Sequence, residues 1–178
     1  MKIDEITAWA KELLLEDGTH APTLFVETDA PEVIISELAD LPPTPNARLS
    51  YFLELGRHLA RKHPNEQARE VAFIALSWAS KQAPDQPVPE YRPSQDPNRM
   101  ELLVISHLTL RADFTTRLDG QLVEIIRDNE GKVRDLYQLP GNVESGESAM
   151  LVLFILGFQY PEMTELEFKQ IMLRTFGV

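Results

Sequence analysis

No cysteine occurs in the 178 residues, which excludes disulfides, thiolate metal sites and cysteine nucleophiles together. Positive charge is also short: 17 Lys and Arg stand against 28 Asp and Glu, for a formal net charge of −11. That balance argues against duplex nucleic acid as a partner, because phosphate rewards a basic surface and repels an acidic one. Its first use is solubility. Long apolar runs are missing. The longest, "AMLVLFILGF", has about half the ~20 residues that a membrane span needs, and it reads as a buried helix. The opening "MKIDEITAWAKELL" carries Asp4 and Glu5 and no extended apolar stretch, so it does not read as a secretion signal. A cytoplasmic protein with no membrane contact is the expectation. Hydrophobic residues still make up 43% of the chain, enough for the core of one domain spanning residues 1–178.

Signatures of chemistry are equally scarce. The four histidines, His20, His58, His63 and His107, are nowhere spaced as His-x-His or His-x-x-x-His, so no metal site has a local signature and no cofactor is expected. His58 and His63 read as solvated or helix-terminal, and His107 as lying at a sheet edge or interface. No Gly-x-Ser-x-Gly elbow, Walker loop or Gly-x-Gly-x-x-Gly is present. "GNVESGES" offers backbone donors ahead of a helix, but Glu144 and Glu147 argue against phosphate there.

What is present is a clear alternation of elements. Ile3, Ile6, Trp9, Ala10, Leu13 and Leu14 make one helical stripe that Gly18 stops. "TLFVETD" and "EVIISEL" read as two strands, and "LPPTPN" as a breaker with Thr44 or Asn46 capping a second helix. "EVAFIALSWAS" is apolar on both alternating faces, the mark of a central strand. From Leu102 to Leu118 the even positions stay largely apolar, while the odd positions turn polar from His107 onward. An unbroken strand of that length would exceed ~50 Å, so it must bend near His107–Leu110 or project as a ribbon over residues 108–128. Asp119-Gly120 is a two-residue hairpin signal that would pair Leu118 with Gln121, and Asp128 to Gly131 a second turn. "KVRDLYQL" then returns as the third strand of a meander. A helix follows over "ESAMLVLFILGF", and Thr164 with Glu167 forms a capping box for a last helix through Leu173 or Phe176. The order α-β-β-α-β-β-β-β-α-α predicts an α+β domain with a mostly antiparallel sheet.

One polar stretch interrupts this core. "PDQPVPEYRPSQDPNR" holds five of the 13 prolines and links two strongly apolar segments. Ser94 and Asp96 sit beside prolines, where short polar side chains bond nearby backbone and fix turns. Arg92, Arg99 and Glu101 are placed to pair with one another or with Asp96. Trp78, Tyr91, Arg92, Ser94, Asp96 and Arg99 are the candidate ligand-binding residues if the loop rims a pocket.

Trp78 followed by Pro93, Ser94, Asp96, Pro97, Arg99 and Glu101 resembles a pattern in a family of small bacterial and phage-borne proteins, a resemblance that implies no particular activity. More loosely, the run of helix, hairpin, helix, strand, Pro-Ser loop and strand resembles JAB/MPN metalloproteases. That family places His-x-His at the strand end and then Ser-x-x-Asp. Here the strand end is Ser77-Trp78-Ala79-Ser80 and the loop has Ser94-Gln95-Asp96, so both histidines are missing and the spacing is one short. The resemblance implies a fold and no zinc site.

Without a visible catalytic constellation, the sequence favours a protein acting by association, as a homodimer. The apolar face Leu108, Leu110, Phe114, Leu118, Val123 and Ile125 would need a cover from helix 148–158 or a second chain. The alternative is a small-molecule-binding or hydrolase-like protein with its site at the 81–101 loop.

Overall fold

The computed structural model describes residues 1–80, 93–111, 115–140, 146–164, 166, 167 and 170. Its elements run α1 (Ile3–Asp17), β1 (Thr23–Thr28), β2 (Val33–Glu37), α2 (Pro45–Lys62), β3 (Ala68–Ser80), β4 (Arg99–Leu110), β5 (Thr116–Arg127), β6 (Val133–Leu139) and α3 (Gly146–Gln159). A 3-10 turn, Pro93–Gln95, precedes β4. The strands form one antiparallel sheet in the order β2-β1-β3-β4-β5-β6. This is the α+β class that the alternation of elements predicts. β3 lies between β1 and β4, as a strand apolar on both faces requires.

Alternation along the strands divides the core in two. Phe25, Ala72, Ile74, Leu103, Ile105, Val123 and Ile125 face α1 and bury against Ile6, Ala10 and Leu14. Leu24, Val26, Val71, Phe73, Ala75 and Leu108 face the other way, against Phe52, Leu59, Leu151, Phe154 and Phe158 of α2 and α3. The result is three layers, with α1 on one side of the sheet and α2 with α3 on the other. α1 stops where Gly18 takes a left-handed φ of 73° and its N–H bonds the Leu14 carbonyl at 3.0 Å. Thr44 caps α2, its hydroxyl accepting the Ala47 N–H at 3.3 Å, with Pro45 as the first helical residue.

α2 and α3 cross unusually closely. A methyl group added at Gly56 would overlap the Phe154 carbonyl oxygen and lie 2.9 Å from the Phe158 nitrogen. One added at Gly157 would overlap the Leu53 carbonyl oxygen and lie 3.2 Å from the Arg57 nitrogen. Both glycines face the crossing, so the two backbones meet where neither helix carries a side chain.

The expected Asp119-Gly120 hairpin is corrected by the pairing. β5 runs unbroken through both residues, with Asp119 opposite His107 and Gly120 opposite Ser106. The chain reverses earlier: Leu110 pairs with Thr116, and the Arg111 N–H bonds the Thr115 carbonyl at 2.8 Å. The length is thus shared between two strands, with residues 116–125 paired to β4 and residues 122–127 also to β6. The supposed single apolar face is also two faces. Leu108, Leu110 and Leu118 pack on the α2–α3 side, whereas Val123 and Ile125 pack under α1. Phe114 lies outside the described residues. His107, on an interior strand, is at no sheet edge.

The second turn is as read, with Gly131 at φ 81° and its N–H on the Asp128 carbonyl at 3.0 Å. The capping box is also present: the Thr164 N–H donates to Glu167 at 2.9 Å and the Glu167 N–H to the Thr164 hydroxyl at 3.3 Å. Most of the expected last helix and residues 141–145 of "GNVESGES" fall outside the described residues. Among the described residues, no helix is long and apolar enough to cross a membrane.

Candidate functional site

The loop before β4 is built by its own polar groups. The Asp96 carboxylate is buried and accepts the Asn98 N–H at 2.8 Å, while the Asp96 N–H donates to the Pro93 carbonyl at 3.1 Å. The Arg99 guanidinium donates to the Ser94 carbonyl at 3.0 Å and stacks 4.5 Å from the centre of the Trp78 ring. Trp78, Ser94, Asp96 and Arg99 are thus brought to one end of the sheet, with Arg99 joining the loop to β3. Tyr91 and Arg92 lie outside the described residues.

Glu101 has a partner that the sequence did not point to. Arg127 of β5 grips it with both arms, Nε to Oε2 at 2.6 Å and Nη2 to Oε1 at 2.7 Å. The remaining nitrogen, Nη1, donates to the Gly18 carbonyl at 2.8 Å and to the Gly131 carbonyl at 3.0 Å. Glu101 raises the Arg127 pKa above its ordinary value. A cation at the carbonyl end of α1 also complements the helix dipole. One side chain so ties α1, β4 and the β5–β6 turn together. Only the run of charged residues at strand ends hinted at it, because the partners are far apart in the chain.

Among the described residues, two clefts are polar. The larger, about 620 Å³, lies between α1 and β5–β6, where Gln121 donates to Asp4 at 2.7 Å and Lys11 to Gln138 at 3.0 Å. Arg117 and Asp119 close one end as an ion pair at 2.9 Å. Its charged groups already have partners: Asp4 and Lys11 each a glutamine across the gap, and Arg117 and Asp119 each other. The second, about 480 Å³, lies beyond the end of α2. There His63 Nδ1 meets Glu66 at 2.9 Å, and the Thr28 hydroxyl donates to the other Glu66 oxygen at 2.6 Å. The Thr28 hydroxyl, and after it His63, hold the Glu66 carboxyl below the usual carboxylate range. On the α1 face, Glu70 lies 3.0 Å from the Met1 amino group and 3.1 Å from His107 Nε2. None of these gathers three or more His, Asp or Glu side chains in a metal-holding arrangement among the described residues.

A third surface is apolar. α1 covers the α1 face of the sheet over β4, β5 and β6, and its Trp9 reaches toward β1, edge-on to Phe25 at 5.2 Å and to His20 at 5.7 Å. Phe25 pairs across the ladder with Ile35, and Glu27 with Val33, so Val33 and Ile35 continue the row outward onto β2. Their exposures are 42% and 59%, and that of Trp9 is 38%. The helical stripe places Trp9 among the core residues; it is instead the rim of the covered area, because α1 sits toward the opposite edge of the sheet. Beneath it His20 is buried, its Nδ1–H donating to the Ala21 carbonyl at 2.7 Å. Its Nε2 has no partner among the described residues, and burial lowers the His20 pKa.

No family model, no curated protein and no solved structure matches the chain. The geometry of this site therefore has to carry any functional reading.

Proposed function

We propose that this protein works by associating with another polypeptide, and that the contact is the row Trp9, Phe25, Ile35 and Val33 with the open side of β2. The observation that carries this reading is the pairing of exposed apolar side chains with a strand edge that has no ladder partner among the described residues. An outer strand leaves a row of N–H and C=O groups free to pair, and here the apolar side chains that a partner strand would need lie directly alongside. The apolar face that first suggested a homodimer is covered within the chain, Leu108 and Leu118 by the α2–α3 layer and Val123 and Ile125 by α1, so the case for association moves to β2. The alternative, a ligand at the 81–101 loop, would meet Arg99 already bonded to the Ser94 carbonyl and stacked on Trp78.

Two measurements on the wild type and an Ile35→Lys variant test this. Ultracentrifugation over a wide concentration range reads self-association, and panning a displayed peptide library against both proteins reads other partners. A dimer dissociated by Ile35→Lys, or peptides captured by the wild type and lost on the variant, is the expected result. A monomer at every concentration that retains no Ile35-dependent peptide refutes the reading.

A further inference from the structure

Resting on that reading, we infer that the partner of the β2 edge is a basic extended segment, added to the sheet as a seventh strand, and not a second copy of this chain. The argument is one of charge. Between Lys11 and Arg48 there is no Lys or Arg, while Glu12, Glu16, Asp17, Glu27, Asp29, Glu32, Glu37 and Asp40 supply eight carboxylates. Four of these, Asp29, Glu32, Glu37 and Asp40, are exposed and flank or lie within β2. Glu27 is met by the Met1 amino group, and Asp29 accepts the Gln67 N–H at 2.9 Å. Glu32, Glu37 and Asp40 form no ion pair with the described residues. The apolar strip is thus bordered by carboxylates with no ion-paired counterion among the described residues.

Self-pairing runs against that charge. An antiparallel β2–β2 pairing would bring the exposed Asp29, Glu32, Glu37 and Asp40 of both copies to one shared edge, and like charges juxtaposed across an interface are destabilising. Charges on an edge commonly guard it against its own kind. The distinguishing features of β2 are that its guards share one sign and that Val33 and Ile35 on the same face as Glu37 stay exposed. An incoming strand with alternating apolar and Lys or Arg side chains satisfies both, its apolar residues beside Ile35 and Val33 and its cations on the opposite face, where Glu32 lies, with Glu37 adding to the same negative field at the strand end. His20 lies within the field of Glu37, but burial lowers its pKa and so disfavours an opposing positive charge there.

The probes are two labelled octapeptides, one alternating Lys with Val and one alternating Glu with Val, titrated by fluorescence anisotropy. The proteins are the wild type, Ile35→Lys, and the double variant Glu32→Lys with Glu37→Lys. All three changes are at exposed positions, and circular dichroism checks that each protein is folded. The wild type is expected to bind the Lys peptide at least about tenfold more tightly than the Glu peptide, with the preference lost or reversed in the double variant. Raising salt to about 0.5 M weakens the Lys peptide's binding. Ile35-dependent binding indifferent to peptide charge overturns this inference and leaves the association reading standing. So does an Ile35-dependent dimer of the wild type. Absence of any Ile35-dependent binding overturns both.

Discussion

The crossing of α2 and α3 gives a test in which propensity and packing point in opposite directions. In an exposed helix, Gly→Ala stabilises by about 1 kcal/mol, because alanine loses less backbone freedom on folding. At Gly56 and Gly157 the new methyl would overlap a carbonyl oxygen of the facing helix, and its next neighbour is again backbone, at 2.9 Å and 3.2 Å. A side chain can rotate away from such a contact; a helix backbone cannot. The helices must separate until the methyl reaches ordinary contact. Doing so loosens the packing of buried Phe52, Phe154 and Phe158 around the crossing, and a gap of even ~0.5–1 Å forfeits a quarter to a half of each dispersion contact. Overpacking of this kind costs about 3 kcal/mol at the upper end of its usual range. Set against the propensity gain, the net loss is about 2 kcal/mol for either variant, or a fall in Tm of about 4–8 °C for a domain of this size. Urea titration followed by circular dichroism measures it. The double variant Gly56→Ala with Gly157→Ala should cost less than the two singles combined, because the first methyl has already parted the helices. A neutral or stabilised single variant, or strict additivity, would refute the crossing as described.

Two further predictions rest on the same layers. Replacing Arg127 by Ala leaves the largely buried Glu101 without its partner, and should cost about 2–3 kcal/mol once partial exposure of the pair is allowed for. Arg127→Lys keeps the charge but loses the two-armed grip and should fall between, with urea midpoints as the readout. For His20, burial puts the folded pKa below the unfolded value of 6.5, so between the two the unfolded chain binds more protons. Its contribution is therefore complete above about pH 6.5 and declines as pH falls toward the folded value. Urea midpoints from about pH 7.5 to about pH 5.5 should drop in the wild type and drop less in His20→Phe.

Much of this architecture was legible from spacing alone. Period-two alternation marked β3 as central, and Thr44, Gly18, Gly131 and the Thr164–Glu167 pair were read from local turn and cap chemistry that needs no distant partner. The failure at Asp119-Gly120 has a geometric cause. Leu110 pairs with Thr116, so residues of the same parity face the same side on β4 and β5, and the alternation crosses the true turn without a break. The change of phase between Leu118 and Val123, which resembles a hairpin, is a change of cover: β5 begins against the α2–α3 layer and ends under α1. The site was less legible. Arg127 with Glu101 joins positions 26 residues apart, and its bond to Gly18 spans 109. The exposure of Ile35 depends on where α1 sits, which no stretch around β2 records.

The span of that Arg127 clasp bears on the order in which the molecule comes together. β4, β5 and β6 are neighbours in the chain and can pair after short loop closures, whereas the bond to Gly18 waits until α1 has docked on the finished sheet. Contacts that close last are absent from the folding transition state, so they set how fast a protein opens more than how fast it forms. Arg127 is then expected to act as a latch on α1, so that Arg127→Ala speeds unfolding more than it slows refolding.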